Sequence, residues 1–151
     1  MKNLNFSGFN MRVKNKENMN FIFDIIRKKW FLLTKEEWVR QHCIHFLVYN
    51  KQYPISLINI EKKILVNGLT KRYDIVVYSK TAEVIVLVEC KGYNINIDQD
   101  VFDQISKYNL ELKSKYLMVS NGLTHFFFSI NYDSNVYSFI KDLPSHKKKF
   151  L

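Results

Sequence analysis

The sequence predicts a single α/β domain with a mixed central sheet flanked by helices, and three observations lead there. A chain of 151 residues is long enough to bury one core but not two. Runs rich in Ile and Val at 57–66, 72–78 and 83–91 have the composition of strands. Beyond them the apolar period changes to that of a helix before a fourth apolar run at 116–120. Such a strand-helix-strand crossover returns parallel and right-handed, which makes the sheet mixed.

Each element follows from local chemistry. Residues 1–20 are rich in Asn, Lys and Ser or Gly without a sustained apolar period, so they are expected to form a mobile or peripheral leader outside the core. After an apolar and basic segment at 21–33, Thr34 stands three residues before Glu37, the spacing of a capping box, and opens a helix expected over 34–48. The helix ends before Pro54, which pushes Tyr53 towards extended geometry. Asn67-Gly68 separates the first two strand runs as a tight turn, giving an antiparallel meander through 83–91. In the second helix, expected over 98–112 with Asn96 or Asp98 as cap, Val101, Ile105, Tyr108 and Leu112 form one stripe. Asn121-Gly122 turns the chain into an aromatic strand at 124–130, and 135–140 adds an edge strand. The order is α-β-β-β-α-β-β, with the domain over 21–144 and a solvated basic tail at 145–151 that holds Lys147-Lys148-Lys149.

Lys and Arg number 23 against 14 Asp and Glu, so the formal charge of +9 favours phosphate polymers or anionic surfaces as partners. With 47% hydrophobic and 15% aromatic residues, that charge decorates a foldable domain and is not a disordered basic tail. Nucleic acid is the leading expectation. The two cysteines, Cys43 and Cys90, and the absence of an apolar signal segment point to reducing cytoplasm rather than a disulfide framework. The most apolar stretch, 84–90, contains Glu89 and is far too short to span a bilayer, so no membrane role is expected.

Two strands end in charge. Asp74 opens the apolar run Ile75-Val76-Val77-Tyr78, and Glu89-Cys90-Lys91 closes the next strand. Alternation puts Glu89 and Lys91 on one face and Cys90 on the other with Val86 and Val88. An antiparallel neighbour can bring Asp74 opposite that pair. Hard divalent cations take carboxylate, water and phosphate oxygens, so the two acids suit Mg²⁺, and an adjacent ammonium can neutralise an oxyanion or orient water. The bland alternative is a salt-bridged cluster at a strand edge.

Tyr73-Asp74 followed on the next strand by Glu89-Cys90-Lys91 resembles the PD-(D/E)XK nuclease signature, with Tyr73 in the proline position. Thr34-Lys35-Glu36-Glu37-Trp38-Val39-Arg40-Gln41, Val66-Asn67-Gly68, Val88-Glu89-Cys90-Lys91-Gly92, Val101-Phe102-Asp103-Gln104 and Asn121-Gly122-Leu123 are, more specifically, similar to the N-terminal nuclease domain of type I restriction enzyme R subunits. The likeness runs over roughly 23–128. It implies a restriction-endonuclease-like α-β-β-β-α-β core and DNA cleavage dependent on Mg²⁺ or Mn²⁺ that leaves 5′-phosphate ends. It also implies a motor on the same chain, yet this sequence has no Gly-x-x-x-x-Gly-Lys-Ser/Thr loop, so ATP-driven translocation is expected only of a helicase or specificity partner.

By that resemblance Asp74 and Glu89 bind metal, Lys91 supports the reaction, and an acid on the first helix, Glu37 or Glu36, assists. Gln104, followed by Tyr108, is carried over as a positioning residue. Its own place on the stripe of Val101, Ile105 and Tyr108 predicts a buried hydrogen-bond partner at the sheet. Tyr108, Lys71, Arg72 and Arg40 are the candidate DNA contacts, and the clusters Arg27-Lys28-Lys29, Lys62-Lys63 and Lys113-Ser114-Lys115 could extend a phosphate-tracking surface. His42 and His45, three apart, are weak zinc candidates that read better as core or surface residues. One site per chain means that cutting both strands calls for a homodimer or two encounters. The rival reading is a binding module on the same fold that has lost its chemistry.

Overall fold

The computed structural model describes residues 1–146, so the Lys147-Lys148-Lys149 run lies outside the described residues. In chain order the elements are β1 (Val13–Lys16), β2 (Met19–Asp24), β3 (Lys29–Leu32), α1 (Lys35–His45), β4 (Ile58–Val66), β5 (Leu69–Tyr78), β6 (Val84–Cys90), α2 (Gln99–Leu112), β7 (Tyr116–Ser120), β8 (His125–Asn131) and β9 (Val136–Ile140). A π-helical turn, Phe46–Asn50, prolongs α1, and a 3₁₀ turn, Ile55–Leu57, leads into β4.

The central sheet has six strands in the order β4-β5-β6-β7-β8-β9. Only β6 and β7 pair in parallel, as the intervening helix requires. At the β4–β5 turn both Asn67 (φ 50°) and Gly68 (φ 76°) are left-handed, the backbone of a tight hairpin that matches the strand twist. Side chains alternate through the sheet and build two apolar layers. Ile75, Val77, Val86, Val88, Cys90 and Met118 pack under α1 against Val39, Cys43, Ile44 and Leu47. Tyr73, Val76, Leu87, Leu117 and Val119 pack under α2 against Ile105. Thr34 caps α1 by accepting from the Glu37 amide at 3.0 Å, and Asp98 caps α2 through the Val101 amide. No helix among the described residues is long and apolar enough to cross a membrane.

The amino-terminal third differs from the sequence expectation. Three short strands, β1-β2-β3, form a separate antiparallel sheet from residues expected to be leader or left unassigned. Leu4 and Phe6 pack against the α1 layer, and the Asn5 amide donates to the Gly122 carbonyl at 2.7 Å. Residues 1–20 therefore contribute to the core edge that they were expected to leave. Their missing apolar period is explained by how they attach, through a few aromatic anchors and main-chain hydrogen bonds rather than a regular stripe.

Candidate active site

The middle of β5, at Asp74, meets the carboxyl end of β6 beside the first turns of α1; β5 begins earlier than expected, at Leu69, so Asp74 lies within the strand and does not open it. In the antiparallel register Ile75 faces Val88, and one further step sets Asp74 opposite Glu89. Both residues are 9% exposed, and their carboxyls are close enough to share a hydrogen bond. Cys90 points to the opposite layer, as alternation demands, and its amide donates to Asp74 Oδ2 at 2.8 Å. Lys91 Nζ stands 3.8 Å from Glu89 Oε1 and is partly exposed. Gly92 then passes against α1: a Cβ there would meet Lys35 Cβ at 3.3 Å and Asn94 Oδ1 at 2.8 Å. That close approach brings Lys91 to the start of the helix.

Burial, reinforced by the neighbouring Asp74 charge, pushes the Glu89 carboxyl up from 4.5 to about 8, against the pull of Lys91 and Lys71. Two acids held side by side with so little water favour a shared proton or a cation between them. Asp74 is balanced from the other side, where Arg40 Nη2 donates to its Oδ1 at 2.7 Å. The sequence has no regular pairing at this point on β4 either. Ile60 pairs with Ile75 and Lys62 with Tyr73, but Glu61, between them, has a left-handed φ of 51° and no paired partner across from Asp74.

Around Asp74 lies a buried ion-pair network. Arg40 joins Asp74 to Glu37 and, at 2.8 Å, to Glu36. Arg27 joins Glu37 at 2.7 Å to Asp24 at 2.7 Å and Glu61 at 3.0 Å. Gln41 Nε2 donates to both Asp24 and Glu37. Burial works against the Arg40 charge, but Asp74 and Glu37 outweigh it and keep the guanidinium protonated. Asp24 and Glu61 were missed in the sequence, where a lone acid in a basic or apolar run has no spacing signal.

These placements alter four expectations. Glu37 is 6% exposed and its oxygens are taken by Arg27, Arg40 and Gln41, so it is a structural acid. Glu36, with a side chain 47% exposed, is the acid that faces Asp74 and Lys91, and burial followed by the Asp74 charge raises its pKa. Arg40, expected to touch DNA, is 5% exposed and spends its two terminal nitrogens, Nη1 and Nη2, on carboxylates. Gln104 is exposed beside Asp103 and Lys107 rather than facing the sheet. Three residues on from Val101 fall 300° round the helix, enough to carry Gln104 off the buried stripe. Asn109 is the buried amide of α2, bonded to Ser114 and Tyr132.

The remaining candidates lie on the α2 side. Lys71 Nζ sits 4.3 Å from the Tyr108 ring centroid, and Tyr73 Oη donates to the Tyr108 carbonyl at 2.9 Å. Arg72 is exposed, 3.7 Å from Glu61. His42 and His45 are buried and bond the Trp38 and Gln41 carbonyls, one turn back, at 2.8 Å each.

The donor set fits a hard cation. Among the described residues no group of three or more His, Cys, Asp or Glu side chains is disposed to hold a metal. Two carboxylates completed by water and phosphate oxygens need only the Asp74–Glu89 pair, with Glu36 alongside.

The family model for the Type I restriction enzyme R protein N terminus (HSDR_N) matches residues 35–144. Among solved structures, the fragment structure of an HsdR subunit of a type I restriction enzyme from Vibrio vulnificus YJ016 is similar, with a TM-score of 0.54 and 18% identity. The match covers 78% of this chain and 25% of that one, and at this identity it speaks for the fold, which is restriction-endonuclease-like as expected. No curated protein matches the chain.

Proposed function

The chain belongs to the type I restriction enzyme R protein N-terminus family, and from that premise we propose that it is a metal-dependent DNA nuclease domain that hydrolyses phosphodiester bonds at the Asp74–Glu89–Lys91 site. One observation carries the reading: two buried carboxylates side by side, with an ammonium on the same strand end and a partly exposed acid, Glu36, at their rim.

Asp74 and Glu89 would hold Mg²⁺ or Mn²⁺, with Glu36 nearby for a water or a second contact. The ion, when bound, supplies Lewis acidity and lowers the pKa of water. The protein's own groups do the rest. Arg40 fixes the direction of Asp74 through one oxygen, while the Cys90 amide fixes the other. Glu89 gives up the proton that burial favours when a cation takes its place. Lys91 offers an ammonium to the charge that develops on the phosphoryl oxygens as water adds and a P–O bond breaks. Half-buried Lys71 and exposed Arg72, with Tyr108 beside Lys71, are the DNA contacts of this reading. A helicase or specificity partner would supply whatever translocation the activity requires, and a homodimer would allow both strands to be cut together.

A second reading, DNA binding without cleavage, is favoured by the Arg40–Asp74 ion pair, which already balances one of the two acids. Incubation with circular and linear DNA in Mg²⁺ or Mn²⁺, against EDTA, separates them. Cleavage that appears only with the divalent ion supports the nuclease. Retarded but intact DNA in both conditions leaves the binding module.

A further inference from the structure

The small sheet β1-β2-β3 lies outside residues 35–144, the segment matched by the family, and the ion-pair network does not occupy its outward face. Its inward face is fixed by Ile22 and Asp24, both fully buried, the latter bonded to Gln41 and Arg27. Because Ile22 and Asp24 point in, alternation sends Phe21, Phe23 and Met19 out. The register places Lys14 across from Phe21, Lys16 from Met19, Leu32 from Phe21 and Trp30 from Phe23. Arg12 continues the β1 pairing by accepting from the Phe23 amide at 2.9 Å. The outward face thus carries three cations on its edge strand and an apolar, largely aromatic surface on the two strands inside it. The nearest acid on this sheet that is not turned inward is Glu17, in the β1–β2 turn.

Two features give this face a direction. The Arg12 guanidinium lies 4.3 Å from the Phe23 ring centroid and 5.3 Å from that of Trp30, and Lys14 Nζ lies 4.2 Å from that of Trp30. The aromatic rings hold the cations in place, which reduces the ordering cost when they meet an anion. Arg12, Lys14 and Lys16 recur every second residue along β1, roughly 7 Å apart, a step comparable to that between phosphates of an extended polynucleotide. Beside them Met19 and Leu32 leave 45% and 49% of their surface in water.

We infer that the outward face of β1-β2-β3 binds single-stranded DNA, with phosphates on Arg12, Lys14 and Lys16 and bases against Trp30, Phe21 and Leu32. A duplex, whose bases are paired inside, satisfies the cations and leaves the apolar surface wet. An unpaired strand covers both. Arg27, which leaves the β2–β3 turn to join Glu37 and Glu61, ties this sheet to the active-site end of the molecule. The inference depends on the chain handling DNA, as the nuclease reading says, but not on cleavage.

Fluorescence anisotropy in EDTA tests it on the full chain, with a labelled thymidine oligonucleotide of about 20 nucleotides, a duplex of equal length and vesicles of phosphatidylcholine and phosphatidylserine. The oligonucleotide should bind more tightly than the duplex. The triple variant R12S/K14S/K16S should weaken it roughly tenfold or more and lower the salt slope by about 2. A second measurement leaves the face intact: in Trp38→Phe, where Trp30 is the remaining tryptophan, the oligonucleotide should change the emission and the duplex should not. Because the binding is read in EDTA, where no divalent-dependent cleavage takes place, its outcome stands apart from the catalytic reading. Equal affinity for both DNAs, binding unchanged in the triple variant, or binding to the vesicles in place of the oligonucleotide overturns it.

Discussion

Arg40 and Glu89 show how one side chain's surroundings decide its role. Arg40 stands between Asp74, Glu37 and Glu36, so truncating it strands two buried carboxylates. Arg40→Ala should lower the unfolding free energy by roughly 3–5 kcal/mol, measured by urea denaturation, the cost of breaking a buried pair from one side. A loss no larger than that of an exposed pair, under about 1 kcal/mol, would mean the network contributes little. Glu89 makes a pH prediction. Its folded pKa, about 8, lies above the ordinary 4.5, so the native state holds a proton that the unfolded chain has released. Stability from this group is present below the lower value and falls as pH rises towards the upper one. Glu89→Gln should melt at a higher temperature than wild type at pH 8 without divalent ions, and on the proposed metal site Mg²⁺ or Mn²⁺ should raise the melting temperature of the wild type but not of the variant. An unchanged metal response in that variant would remove Glu89 from the site. Asp74, Glu89 and Lys91 were legible because alternation and spacing fix which of them share an end of the sheet. Glu37 was not, because Thr34 and Glu37 satisfy a capping-box spacing whether or not the carboxylate turns back to the cap. Here it turns to Arg27, Arg40 and Gln41 instead.

At the scale of elements, the chain from Thr34 onward was readable from its turns, caps and strand runs. The Asn67-Gly68 turn, the caps Thr34 and Asp98, and the parallel return of β7 all rest on short-range or topological rules that leave few alternatives. Gly68 sits at φ 76°, where a branched side chain is strained. Gly68→Val should therefore destabilise the β4–β5 hairpin by roughly 1–2 kcal/mol in a thermal or urea melt, and a neutral result would show that the turn adapts. The first sheet was not readable. Its strands are 4, 6 and 4 residues long, too short for a period to stand out, and their outward positions are cations on β1 but apolar on β2 and β3, so the usual polar-out, apolar-in pattern is missing. Gln104 failed for a related reason, since a four-position stripe on α2 tolerates a neighbour 60° away that the sheet does not cover.

For the whole molecule, the charge of +9 is distributed over surfaces that Arg27 and Arg40 do not share, because both are consumed inside the fold. On the proposed reading the exposed lysines and arginines carry the DNA affinity, so binding to duplex DNA should fall steeply with salt and vary little with sequence. On the proposed nuclease reading, one Asp74–Glu89 pair per chain lets a monomer cut one strand at a time. Nicked circles should accumulate before linear DNA when a supercoiled plasmid is the substrate, and linear product without a nicked intermediate would indicate a dimer acting on both strands. On the proposed reading the place where mid-β5 meets the end of β6 is a catalytic site and not only an ion-pair cluster. Lys91 separates the two, because it lies at the edge of the network and holds only Glu89 among the described ion pairs. The most direct measurement is single-turnover DNA cleavage by wild type and Lys91→Ala in Mn²⁺, with melting temperature and Mn²⁺ affinity taken on the same samples. The variant should keep its fold and its metal and cut slower by a factor on the order of a hundred to a thousand, the loss expected for one group that stabilises transition-state charge. Cleavage undiminished in Lys91→Ala would contradict it.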